Sequence, residues 1–502
     1  MVASSVPMPR DVDDISRQGH QVSGGGSLGN EVVLEPEAPT IERLELEEPD
    51  RALLTPSKPG ASQRDLSVDL HRGLIMSLMI WNNVTIMWSI QQQPPLLSPY
   101  GGEFWSLKDR ALLTPSKPTC ITDPVEAIYF AQRKMIGSAV APGFCFLMGE
   151  GLQLFIDAGI KRGWSAWKLL RYLWVRGLLL AVPLNLISDS TGISTAIWNR
   201  SPYAWKGGIL FGNGMAMLLV SLVLVPLRSM EWARQRNLDA VTCLVLSISL
   251  SVVVQELTTI AVNTNHQPSF FESLLYLPWH ATRWSLIDSV LPCLSLVFFG
   301  AAFGRVHISW SSQADGQQQQ QRWRRRIAAP SVLFLLLFIA FLWVRFNDGW
   351  GNTSSVTEMI GEGIPSWQAF LTMRKYPYSM ALSLYAMAFN QLLVLLCVSL
   401  DLLLPAGISK TSALLRPALD LADATLMGFL LQQWLLIVLV VAWWLQSAVF
   451  ALAGCEATPP WVSLLVLHLV LCPLVLRATH LRCARWGTWK RSKGADSLWR
   501  ML

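Results

Sequence analysis

The apolar positions of this chain come in long unbroken blocks, not in alternation or in a helical stripe. Ten blocks stand out, at about 73–90, 135–157, 168–188, 208–227, 239–261, 286–304, 327–345, 378–404, 424–448 and 461–479. Roughly 20 apolar residues let a helix cross a hydrocarbon layer of about 30 Å. Backbone groups in lipid can be satisfied only within the spanning segment, so each block is expected to be a helix. The expected fold is therefore all-α, a polytopic transmembrane bundle of about ten spans over residues 66–480. Residues 1–65 are polar, acidic from Glu42 to Asp50 and rich in Gly and Pro, the composition of a disordered tail. Residues 481–502 read as a second, basic tail. No apolar segment opens the chain, so the first span is expected to act as the signal.

Loop charge orients the bundle. With the N-terminus cytoplasmic, inside loops hold Lys161, Arg162 and Lys168, then Arg228, Arg234 and Arg236, then Arg322 and Arg324 to Arg326, then Lys410 and Arg416. Arg482, Arg485, Lys490, Arg491 and Lys493 follow the last span. Outside loops are poorer in cations, and both termini are expected in the cytoplasm. Two Asn-x-Ser sequons, at Asn199 and Asn352, fall in outside loops, where glycosylation is expected. The host membrane is an endomembrane or the plasma membrane.

Composition excludes several classes. Of 502 residues, 52% are hydrophobic and 15% charged, and the net charge of +6 is too mild and dispersed for nucleic-acid binding. The eight cysteines show neither a CxxC nor a Cys/His metal spacing, so no metal is expected. There is no Walker loop and no GxSxG. The decapeptide at 50–59 recurs identically at 109–118, on the other side of the membrane in this topology, which reads as a duplication without a shared role.

Ionisable groups inside spans are costly and mark packing or functional sites. Asp69 and Arg72, three apart, share a helical face at the cytoplasmic entry to the first span, with Asn82 and Asn83 further in. Glu150 in span two and Arg176 in span three lie at comparable depth and are expected to face one another or a hydrated cavity, not lipid. Gln255, Glu256, Asp288 and Gln432-Gln433 read as helix–helix hydrogen-bonding groups. Of the seven histidines only His468 reads as buried mid-span, so a buried imidazole base is not expected.

These residues carry a resemblance. Arg64 with Ser67-Val68-Asp69-Leu70-His71-Arg72-Gly73-Leu74, then Thr122-Asp123-Pro124, Ala141-Pro142-Gly143-Phe144-Cys145-Phe146-Leu147-Met148-Gly149, Arg176-Gly177-Leu178, Gly300 with Gly304, and Phe370-Leu371 with Lys375-Tyr376-Pro377-Tyr378-Ser379 follow in order along the chain. In that order they resemble the heparan-alpha-glucosaminide N-acetyltransferase catalytic-domain family. The resemblance implies an integral membrane acyltransferase that moves an acetyl or other acyl group from CoA to a small metabolite or sugar, within a biosynthetic pathway. It implies Glu150 and Asp69 as catalytic groups, and Arg72, Arg176, Asn82, Asn83, Lys375 and Tyr376 as substrate- or CoA-binding groups. Where the family carries imidazoles, this chain has Asn82-Asn83, Ser138 and Gln432-Gln433. The implied partners are the bilayer, a small-molecule substrate and other membrane enzymes. The alternatives are a non-catalytic scaffold and a transporter of the same fold.

Overall fold

The structure, a computed structural model, describes residues 66–92, 124–189, 205–264, 269–311 apart from 278, 281–283 and 287, 319–347, 356–403 apart from 376–377, 415–432 and 465–492, with four isolated positions between the last two segments. The chain divides after Gln63, and the described fold belongs to Arg64–Leu502. The expected N-terminal tail, both copies of the decapeptide and both sequons lie outside the described residues.

Among the described residues, eight helices are long and apolar enough to cross a membrane: Phe130–Lys161, Ala166–Ser188, Ile209–Ser229, Leu238–Ala261, Val290–Ser309, Arg324–Phe346, Met380–Leu403 and Leu467–Trp489. Each overlaps one expected block. Helix α1 (Leu66–Gln92) covers the first block and is as long, though it is not one of the eight. The block at 424–448 is described as helix over 425–432 only, with isolated helical positions beyond.

After α1 come α2 (Pro124–Gln132) and α3 (Ser138–Lys161), joined by a π-turn at Arg133–Gly137. Then follow α4 (Ala166–Leu179), a π-turn at Leu180–Leu184, α5 (Asn185–Asp189), α6 (Ile209–Ser229), α7 (Glu231–Gln235), α8 (Leu238–Asn263) and α9 (Phe270–Leu275). The second half holds α10 (Val290–Ser311), α11 (Gln319–Phe346), α12 (Val356–Gly361), α13 (Ser366–Leu371), α14 (Met380–Leu403) and α15 (Arg416–Asp423). A third π-turn, Leu467–Leu471, leads into α16 (Cys472–Ser492). Each π-turn has a proline inside it or just after it: Pro142, Pro183 and Pro473. A proline in a helix removes one N–H and pushes away the carbonyl four residues back, and a locally widened turn absorbs that.

The bundle is not purely helical. Three short strands, β1 (Trp205–Gly207), β2 (Trp279–His280) and β3 (Trp284–Leu286), form a sheet in the order β1-β3-β2. β1 is parallel to β3, with Trp205 opposite Trp284, and β2 is antiparallel to β3. This sheet marks one end of the bundle, called here the sheet end. Arginines and carboxylates mark the other, the basic end.

Helices α3 and α10 form the centre. They meet at Gly149, Gly300 and Gly304, where an added Cβ would overlap the Val297 carbonyl, overlap the Phe146 carbonyl, or crowd the Glu150 backbone. Small residues at such a seam let two backbones approach closely in a membrane bundle. α8 packs on α10, α4 on α6, and α11 on α14. α1 lies against α14 and α15, with Gly73 seated on the Ala418 backbone.

The last helix differs from expectation. It runs on to Ser492, through residues read as the start of the basic tail, and Cys483 is buried beside Gly428 instead of lying in a tail. The cations of this stretch can sit on a helix because helix ends carry long basic side chains out toward the interface.

Candidate functional site

At the basic end α3, α6, α8 and α10 are tied by a buried charge network. Arg228 pairs with Asp157 and, at 3.4 Å, with Asp239. Gln153 Nε2 donates to Asp239 Oδ2 at 2.7 Å, and Lys161 meets Asp157 at 2.8 Å. Arg305 donates to Asn237 Oδ1 (3.0 Å) and to the Arg234 carbonyl (3.2 Å). Asn237 takes a positive φ of 53°, which its short polar side chain tolerates. Arg326 closes the other side by donating to Asp401 at 2.9 Å.

Just inside this layer lies a second cluster, in which two histidines and a carboxylate are all but closed to solvent. Glu150 Oε1 stands 3.3 Å from His307 Nδ1, an ion-pair distance without hydrogen-bond alignment, and Glu150 Oε2 has no hydrogen-bond partner. The close α3–α10 seam holds these two side chains together, since Gly304 abuts the Glu150 backbone one turn from His307. His71 Nε2 lies 3.3 Å from Asn390 Oδ1. Asn390 Nδ2 in turn donates to the carbonyls of Ala386 (2.7 Å) and Ala139 (3.4 Å). Because its amide nitrogen is held by two carbonyls, Asn390 presents an acceptor to His71, so His71 Nε2 carries the proton and donates. His71 Nδ1 is then the bare nitrogen, and it has no partner. Glu150, Arg72 and His307 all lie within electrostatic reach of His71, and Phe146 meets its ring edge-on at 5.9 Å.

Arg72 reaches across the mouth of this cluster. It is 3.6 Å from Asp69, and its guanidinium lies 3.2 Å from where a Cβ on Gly151 would stand. Arg176 on α4 lies within electrostatic reach of Arg72 and Tyr172, and among the described residues no carboxylate acts on it. Beside it Tyr172 stacks on Phe155 at 4.8 Å, with Trp164 at 6.0 Å from Tyr172. The base of this wall is set by a local signal: Ser165 caps α4 by accepting from the Lys168 N–H at 3.3 Å.

Several expectations change. Of the two expected arrangements, the direct Glu150–Arg176 pair is not the one seen: Glu150 stands against His307. Buried imidazoles are present after all, at His71 and His307. The apolar block ends near 304, short of His307, but α10 continues to Ser311 and keeps this residue inside. His71 sits in the quoted Asp69-His71-Arg72 string, and the apolar run begins two residues later, so hydropathy alone put it at the surface. Asp69, Arg72, Glu150 and Arg176 do gather at one end. Asn82, buried, and Asn83, half-buried, lie eleven and twelve residues along α1 from His71, about 16–18 Å at the helical rise. Lys375 is buried at the sheet end, where its neighbour Arg374 donates to Gln255 Oε1 at 3.2 Å. Burial pushes Arg374 down to about 10, so it stays cationic near neutral pH. Tyr376 lies outside the described residues. Asp288 does hydrogen-bond across helices, accepting from Tyr378 at 3.0 Å.

Among the described residues no group of three or more His, Cys, Asp or Glu is placed to hold a metal ion. The fold and its apolar helices define a multi-pass helical membrane protein with a polar cluster buried near one end. Comparison with protein-family models and with curated proteins gives no match.

Proposed function

We propose that this protein is an integral membrane acyltransferase that takes an acetyl or acyl group from CoA at the basic end and passes it to a small hydroxyl- or amine-bearing acceptor. The observation that carries this reading is the bare Nδ1 of His71, held by Asn390 and set beside the Glu150–His307 pair. A neutral imidazole with one nitrogen fixed as donor and the other free is the arrangement of a general base. Glu150, with one oxygen unpartnered, supports the positive charge that His71 acquires on taking a proton from the acceptor.

The Arg72–Arg176 pair supports the donor side. Two guanidiniums within reach of each other, only one of them near a carboxylate, fit a phosphate-bearing ligand, and the planar fork of Arg suits phosphate oxygens. The Phe155–Trp164–Tyr172 wall offers aromatic faces to a base on the same ligand. CoA would supply the activated thioester. Asp69 orients Arg72 and is a positioning residue, and Asn82 and Asn83 are too far along α1 to share this step.

The test uses full-length protein in detergent and in membranes. Acetyl-CoA is expected to raise the thermal unfolding midpoint, and Arg176→Ala to abolish that shift. Labelled acetyl-CoA with a metabolite extract is expected to yield a labelled acyl product. His71→Asn is expected to lose at least ~100-fold in product formation while expressing normally, the scale at which a general base contributes. Full product from His71→Asn would remove this reading. No acetyl-CoA shift in a folded protein would leave the non-catalytic scaffold as the better one.

A further inference from the structure

The outer side of α16 carries a pattern that neither the packing of the bundle nor the proposed reaction uses. The helix follows the π-turn in which His468 lies 3.0 Å from Gln132, and it runs from there toward the basic end. Val475, Thr479, His480 and Cys483 are buried against the bundle. Leu474, Arg477, Leu481, Arg482, Arg485 and Trp489 are exposed. Spacings of three, four and seven residues keep side chains on one side of a helix. Leu474, Leu481 and Arg485 follow one such line, and Arg482, Arg485 and Trp489 the line beside it. Along its length the outer side therefore passes from leucines to guanidiniums to an indole, with Trp489 stacked 4.7 Å from the half-buried Trp486.

The charge on this side is not compensated from within the protein. From Arg477 to Lys493 the sequence carries Arg477, Arg482, Arg485, Lys490, Arg491 and Lys493 and no Asp or Glu. Asp420 on α15 is taken by His480, whose Nε2 donates to it at 2.8 Å, and Arg477 Nη1 stands 3.4 Å from the Nδ1 of the same ring. Among the described residues no carboxylate forms an ion pair with Arg477, Arg482 or Arg485. Deeper in the same end the arginines are matched, Arg228 by Asp157 and Asp239, and Arg326 by Asp401. A guanidinium on a lipid-facing helix is costly unless its long stem carries the charge to the interface, where phosphates can take it.

We infer that the outer face of α16 is a docking surface for anionic phospholipid, with Arg482 and Arg485 on the headgroup phosphate, Leu474 and Leu481 against an acyl chain, and Trp489 at the level of the headgroups. The order of the side chains carries the assignment to a lipid. A soluble phosphate needs only the arginines, whereas exposed leucines on the bundle side of them and an exposed indole on the outer side match the sequence of chain, phosphate and interface in one leaflet. The planar fork of Arg suits phosphate oxygens. In the topology expected from the loop charges this end meets the cytoplasmic leaflet, which carries the anionic lipids of the cell. The surface is independent of the acyltransferase reading.

Native mass spectrometry of the full-length protein in detergent, titrated with phosphatidylserine or with phosphatidylcholine of the same acyl chains, tests it. Phosphatidylserine is expected to give the tighter adduct, and the preference to fade at high salt. Each basic side chain beside an anionic surface is worth about fivefold in affinity, so Arg482→Gln with Arg485→Gln should weaken phosphatidylserine ~25-fold and leave phosphatidylcholine unchanged. Both side chains are exposed, so the thermal midpoint of the variant should match that of the unaltered protein. If the double variant is not recovered folded, each single replacement is scored, with about fivefold expected from each. Equal binding of the two lipids, or a phosphatidylserine affinity that the replacements leave unchanged, would overturn the surface. Displacement of phosphatidylserine by inorganic phosphate would make the occupant a soluble anion and overturn the lipid assignment. A mass of two chains that the replacements split would make the occupant a second copy of the protein and overturn it as well. None of these readouts involves acyl transfer, so failure of the proposed activity and failure of this surface are distinguishable.

Discussion

At the scale of single residues, the basic end depends on charges that cannot be removed one at a time. Arg228 and Asp239 have no exposed side-chain surface, and Arg228 also holds Asp157. Deleting one partner of a buried pair leaves the other charge desolvated and unpaired, at a cost of about 3–5 kcal/mol. Arg228→Ala is therefore expected to lower the thermal midpoint sharply, and Arg228→Met with Asp239→Leu to recover part of that loss. A single replacement with no effect would mean that water reaches this layer. By the same reasoning the unpaired nitrogen of His71 and the unpaired oxygen of Glu150 are burial costs at the centre of the bundle.

At the scale of helices, two kinds of surface behave in opposite ways. The α3–α10 seam is closed by glycines, so Gly149→Val must push a side chain into the Val297 carbonyl. Overpacking of this kind costs about 1–3 kcal/mol. It would also move Glu150, one residue along, away from His307. Product formation is thus expected to fall with stability, a paired loss that detergent unfolding and the acyl-transfer assay would read together. α11 is the contrasting case. Its middle is apolar all round and largely uncovered by protein, with Leu335 and Leu336 exposed. Lipid covers that face in the membrane. Leu336→Ala should change little, whereas Leu336→Lys should cost about 3 kcal/mol of insertion and appear as reduced membrane yield. Equal yields would place α11 against a protein partner instead.

At the scale of the whole molecule, the two ends of the bundle differ in chemistry. One gathers arginines and carboxylates around the His71–Glu150–His307 cluster; the other carries the small sheet, buried Arg374 and the hydrogen-bonded circle of His468, Gln132 and Thr85. In the topology expected from the loop charges the basic end faces the cytoplasm. Expressed in a eukaryotic cell, the protein should then shift in mobility on glycosidase treatment, and the shift should vanish when Asn199 and Asn352 are both replaced. A protein that shifts in neither form, but carries sugar on a sequon engineered into the Arg228–Asn237 turn, would have the opposite orientation.

Much of this was legible in the chain itself. A run of about 20 apolar residues can satisfy its backbone in lipid only as a helix, so the length of each block decided its structure. Asp69 and Arg72 were legible as neighbours because three residues is nearly one helical turn, whatever the helix packs against. Where each polar side chain points across the bundle was not legible. Which helix stands next to which, and at what depth, follows from glycines meeting backbone at Gly149, Gly300 and Gly304, contacts between segments some 150 residues apart. Those contacts gave Glu150 a histidine in place of Arg176. The extra turns of α10 beyond its apolar block carried His307 inward. Asn390 reached His71 across 319 positions of sequence, leaving one ring nitrogen bare. Local pattern determines a helix because its hydrogen bonds are local; a buried polar site is decided by tertiary structure because its partners are not.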